Sequence, residues 1–224
     1  MKTFIITLSL VAALSTGAWA QGFISIANST LPIMIQTGTN APVKTGTVAS
    51  SYYYDVLINA STVTTIDSSL QGLTAAGWSD SGITGVNGIG ALGAGKITAV
   101  NTASSVWTPG AQQAFVVVGW SANLGTTWAQ VEALLPDLTF FPFGGGGWAG
   151  PPGIGVLGYT TVGSAIAGST PGSPAPLFNP TSTVQVPVPV STVTVLFIII
   201  PEPGTLALAS LGVASLLISR KKTR

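Results

Sequence analysis

The chain contains no cysteine and no histidine, and only 6% of its 224 residues are charged. Without cysteine there is no disulfide framework, no thiolate metal site and no sulfur nucleophile. Without histidine the usual general base near neutral pH is missing, and so is the commonest transition-metal ligand. An average globular domain is about 25% charged. Here five of the seven basic residues (Lys2, Arg220, Lys221, Lys222 and Arg224) lie at the two ends. Residues 21–200 keep Lys44 and Lys96 against Asp55, Asp67, Asp80, Glu132 and Asp137, a net of −3. Such a segment has no basic patch for phosphate backbones, so nucleic acid is excluded as a partner. No cofactor is expected.

What the chain has instead is concentrated at its termini. Residues 1–20 place Lys2 ahead of an apolar run from Phe4 to Leu14, followed by Ala18-Trp19-Ala20. This order of basic, apolar and small residues is that of a secretory signal peptide, with Ala18 and Ala20 at the cleavage site and Gln21 as the mature N-terminus. At the other end, Pro201-Glu202-Pro203 precedes an uncharged stretch, Gly204 to Ser219, and a basic cluster, Arg220 to Arg224. Sixteen helical residues rise roughly 24 Å, short of a ~30 Å hydrocarbon core but extended by snorkelling basic side chains. Pro201 and Pro203 stop that helix from running backwards. The basic cluster keeps the C-terminus cytoplasmic and residues 21–200 outside. Both ends thus require the same topology.

The sequence Pro201-Glu202-Pro203, short apolar helix, basic stop resembles the PEP-CTERM sorting domain of Gram-negative bacteria. That resemblance implies processing by exosortase, a membrane cysteine protease of transpeptidase type. It also implies transient insertion in the inner membrane through Gly204 to Ser219 and a destination in extracellular polysaccharide or biofilm matrix. It covers the last 24 residues, with Pro201, Glu202 and Pro203 as the sorting motif. A plain single-pass anchor would have the same topology.

Residues 21–200 form short β-branched and aromatic runs divided by Gly, Pro, Ser, Asn and Asp. Strands are expected at Phe23–Ala27, Tyr52–Ile58, Lys96–Val100, Ala114–Trp120, Ile154–Thr161 and Thr192–Ile200. The continuously apolar Ala114–Trp120 run suits a central strand covered on both faces. Thr127-x-x-Gln130 is a capping box, and Trp128, Val131 and Leu135 follow on one face before Pro136. They predict a helix, Trp128 to Leu135, over an open end or edge of a sheet. Regular spacing of short strands predicts a mainly β domain, an antiparallel β-sandwich of jelly-roll type, flanked by the signal helix and the transmembrane helix. Phe143 to Gly153 is expected to be a loop around Trp148, and the Pro-rich run from Pro171 to Pro189 to wrap the sandwich.

Three patterns suggest chemistry. Gly90 to Lys96 matches GxxxxGK, and Gly88 to Gly93 matches GxGxxG, but Ile97 follows where a phosphate loop needs a hydroxyl, and neither a preceding hydrophobic strand nor a following helix is expected. Among the acids, Asp67 and Asp80 fit Asx turns, Glu132 the wet face of the helix and Asp137 a turn. Asp55 alone, inside an apolar run, needs a partner. Aromatic faces suit sugar rings. Trp120 and Trp128 are assigned to the core, whereas Trp148, Trp78 and Tyr53 are candidate glycan contacts. The expected function is that of a non-catalytic exported surface or matrix protein. The alternatives are a carbohydrate-binding module, favoured by an exposed coplanar row of Trp and Tyr, and a low-charge hydrolase, favoured by a buried carboxylate pair in a cleft.

Overall fold

A computed structural model describes residues 21–28, 31–36, 41–66, 72–75, 77–90, 92–140, 155–178, 185–190, 192 and 194–201. The signal segment, Asp67, Trp148 and everything after Pro201 lie outside the described residues. In chain order the elements are β1 (Gly22–Ser25), β2 (Ile33–Gln36), β3 (Val43–Lys44), β4 (Tyr52–Ala60), α1 (Gly72–Ala75), β5 (Ser79–Asn87), β6 (Ile97–Asn101), β7 (Ala103–Ser104) and β8 (Gln112–Ser121). They continue with α2 (Trp128–Glu132), β9 (Leu138–Phe140), β10 (Gly155–Tyr159), β11 (Gly163–Ile166), β12 (Ala175–Pro176) and β13 (Thr194–Pro201).

The domain is mainly β, as expected, and its strand pairs are antiparallel except for β1–β12 and β2–β13. One sheet runs β3-β2-β13-β10-β8-β4-β5-β6, with β11 also on β8 and β9 also on β13. A second sheet has only three short strands, β12-β1-β7. This order does not by itself confirm a jelly-roll sandwich. All six anticipated strands exist, with ends shifted by up to two residues. Seven further strands had too little apolar alternation to be recognised. β5, reading Ser-Asp-Ser-Gly-Ile-Thr-Gly-Val-Asn, looks like turn sequence, yet it pairs along β4 and β6.

Alternation on β4 and β8 divides the core in two. Tyr54, Val56 and Ile58 of β4, with Phe115 and Val117 of β8, join a cluster that includes Ile24, Ile26, Trp107 and Leu177. The opposite face carries Leu57, Ala114, Val116, Val118 and Trp120, packed with Leu73, Trp128, Val131 and Leu135. β8 is thus covered on both faces, as its unbroken apolar run requires. The helix is shorter than predicted: α2 ends at Glu132 and a 3-10 turn, Leu135–Asp137, contains Pro136 instead of stopping before it. Its entry is capped as expected, Gln130 Oε1 accepting from Thr126 N at 2.7 Å and Thr127 N at 3.3 Å. It covers a sheet face and not an end or edge, because Trp128 and Val131 are both buried against β8 and β4 residues.

Two buried asparagines pin the loops. Asn87, 1% exposed, accepts from Ser51 N (3.0 Å) and Tyr52 N (3.1 Å) and donates to Gly46 O (3.0 Å) and Val48 O (2.7 Å). Asn28 donates to Leu31 O and to Gly95 O (2.9 Å) and accepts from Ile97 N. The Pro-rich segment wraps partly as expected: β12 lies along β1, and Val188 and Val190 bridge to Ser164 and Phe178.

Candidate functional site

β4 is an inner strand, so its polar side chains leave water when the sheet forms. Asp55 points to the same face as Tyr53 and Leu57 and is 2% exposed. Its partner comes from an irregularity in β5. Asp55 stands opposite Thr84 and Leu57 opposite Asp80, so two steps along β4 span four along β5. The two extra residues form a bulge, with Gly82 at φ +74°, a conformation that favours glycine. The bulge brings Asp80 close enough for its charge to act on Asp55.

Each carboxylate is also tied locally. Asp55 Oδ1 accepts from Val56 N at 2.7 Å and Asp80 Oδ1 from Gly82 N at 2.6 Å. The Asx contact foreseen for Asp80 is therefore made, but inside a bulged strand instead of a turn. Burial pushes the Asp55 carboxyl up to about 8, the neighbouring Asp80 charge adds to that, and the Val56 N–H opposes it. Asp55 is accordingly largely protonated near neutral pH.

The pair lies in a cleft of about 350 Å³, walled by Tyr53, Thr84, Trp120 and Trp128. The rings form a ladder: Tyr53 and Trp120 stack with centroids 6.4 Å apart, and Trp120 meets Trp128 at 6.0 Å. Trp120 Nε1 donates to Gly125 O at 2.9 Å. Trp120 is 1% exposed and Trp128 3%, so these rings are core, as assigned. Of the candidate glycan contacts, Tyr53 lines the cleft and is half-buried. Trp78 is 6% exposed within the core, its Nε1 without a partner, and the structure does not bring it to the cleft. Trp148 lies outside the described residues. Among the described residues no coplanar row of exposed Trp and Tyr occurs, since Trp78, Trp107, Trp120 and Trp128 are all buried.

Two carboxyl groups, those of Asp55 and Asp80, do line one cleft, the feature that favours the hydrolase alternative. Glycoside hydrolysis needs carboxyl groups roughly 5 to 9.5 Å apart to admit a sugar carbon or a water. Asp55, one of the two, is 2% exposed. Sequence reasoning singled out Asp55 as lacking a partner but could not supply Asp80, because only the bulge makes them neighbours.

The glycine-rich motif is a hairpin connection. The strand before it, β5, is mostly polar, and antiparallel β6 follows where a phosphate loop requires a helix. The loop closes on itself through Gly93 N to Gly90 O (2.9 Å), Lys96 N to Gly93 O (2.9 Å) and Gly88 N to Lys96 O (2.8 Å).

At the far end, β13 runs to Pro201, the first residue of the Pro-Glu-Pro tripeptide, while Glu202 and Pro203 lie outside the described residues. Among the described residues no helix is long and apolar enough to cross a membrane; Gly204 to Ser219 is not among them. No curated protein and no solved structure matches the chain. Residues 200–222 match the PEP-CTERM protein-sorting motif. The chain therefore carries a C-terminal PEP-CTERM motif, consistent with an exosortase substrate, and that motif implies export, a membrane-anchored sorting signal and processing by exosortase.

Proposed function

We propose that this is a non-catalytic surface or matrix protein, exported behind a signal peptide cleaved before Gln21. In this proposal it is held briefly in the inner membrane with its C-terminus cytoplasmic, then cut at the tail and left outside among extracellular polysaccharide. The observation that carries the proposal is the sorting motif over residues 200–222. Its non-catalytic part is supported by a chain without histidine or cysteine. The core shared by Ile24 of the small sheet and Val56 and Val117 of the large one supports reading the domain as a β-sandwich.

The test is Glu202→Ala in a host that carries the cognate exosortase. The substitution leaves Gly204 to Ser219 and Arg220 to Arg224 intact, so insertion is unaltered. Uncleaved precursor should accumulate in the inner membrane; equal release of variant and wild type would leave only a plain anchor. Saccharide binding is a second proposal, resting on Tyr53 at the cleft beside Asp80 and Thr84. Loss of polysaccharide retention in Tyr53→Ala would support it, and unchanged retention would dismiss it.

A further inference from the structure

The sorting motif and the fold overlap. The motif begins at residue 200, whereas β13 continues to Pro201. β13 is no edge strand. Phe197, Ile198 and Ile199 pair with β10 on one side; Thr194 to Phe197 pair with β2 on the other. Beyond the end of β2, β9 takes over that second side: Ile199 stands opposite Phe140, Ile200 opposite Thr139 and Pro201 opposite Leu138. The two first residues of the matched segment are therefore members of a sheet. From Pro201 to Gly204, where the apolar stretch begins, there are three residue steps, at most about 11 Å of extended chain. The sequence offers no spacer between the folded domain and the membrane span.

A protease generally takes its substrate as an extended strand and pairs with that strand's backbone, as in strand addition. The backbone groups of Ile200 and Pro201 cannot serve β9 and an enzyme's cleft together. We infer that pairing of β9 with the end of β13 competes with processing, so that folding of the domain restrains removal of its own tail. Processing then proceeds through the fraction of molecules in which the Ile199–Pro201 end of β13 is released from Leu138–Phe140. This inference rests on the sorting reading and adds a constraint that the motif alone does not contain.

Two full-length variants expressed with the cognate exosortase test it. The first inserts six Gly/Ser residues between Ile199 and Ile200, which leaves β13 paired up to Ile199 and moves the whole matched segment off the sheet. The second is Phe140→Cys with Ile199→Cys, a directly opposed pair outside the motif, in a chain that has no other cysteine. Precursor and mature forms are followed by pulse-chase, with Glu202→Ala alongside and protease resistance of the domain as the folding control.

The inserted chain should be processed faster and the oxidised cross-linked chain slower, each by roughly 5- to 30-fold, the range that opening a strand end gives. Reductant should restore the cross-linked chain. If the inserted chain loses its protease resistance, the reversible cross-link decides alone. Equal rates for wild type, inserted and cross-linked chains would overturn the competition while leaving the sorting motif standing. Glu202→Ala processed like wild type would instead overturn the sorting reading, and the competition with it.

Discussion

Replacing Asp55 by asparagine should raise stability at neutral pH and remove much of its pH dependence. The Asp55 carboxyl lies at about 8 in the folded chain against 3.8 for the free side chain, chiefly through burial. Between those two values the folded state holds a proton that the unfolded state has lost. The contribution of the protonated Asp55 carboxyl is therefore complete below pH 3.8 and declines as pH rises, until it is gone above about 8. The decline is roughly 1–2 kcal/mol per pH unit, or about 3 kcal/mol between pH 5 and pH 7. For a domain of this size 1 kcal/mol moves Tm by roughly 2–4 °C, so this group accounts for a fall of about 6–12 °C over that interval. An asparagine amide keeps the shape and does not ionise. Thermal unfolding followed by near-ultraviolet circular dichroism, with both chains at pH 5, 6, 7 and 8, gives the comparison. The difference in Tm between variant and wild type should grow steadily with pH. A constant difference across that range would refute the buried placement of Asp55 and the proton it holds.

Two further outcomes follow from the same structure and a third from the sequence. Asn87→Ala removes four bonds that hold the Gly46–Tyr52 chain against the β5 end, and chemical denaturation should show a loss of about 2–4 kcal/mol. Gly22→Ala would place a methyl 2.2 Å from Trp107 O and 2.6 Å from Ala167 Cβ, so the same assay should register a cost of at least about 1–3 kcal/mol. The mature protein, sequenced by mass spectrometry, should begin at Gln21; an extracellular form retaining Met1 would end the signal-peptide expectation.

Much of what concerns address was legible without coordinates. The sorting tail is a local pattern of proline, uninterrupted apolar residues and terminal basic charge, and each part acts through its own chemistry with water and lipid, whatever the rest of the chain does. The strong strands were equally local: Ala114 to Trp120 is apolar throughout because it must be covered on both faces, and that requirement is written into its composition. The capping box at Thr127 and Gln130 was visible for the same reason. What the sequence could not disclose arises from register. β5 looks like turn because Ser, Asp and Gly dominate it, yet pairing with β4 and β6 makes it a strand, and two extra residues at Gly82 set Asp80 against Asp55. The meeting of two acids twenty-five residues apart is a property of that bulge. Trp78 was a candidate for exposure until packing placed it in the core beside Leu57 and Leu73. The overlap of the last strand with the sorting motif was likewise a matter of tertiary structure. Only pairing with β9 reveals that Ile200 and Pro201 belong to the fold as well as to the signal, because a strand end is defined by its neighbours and not by its own residues.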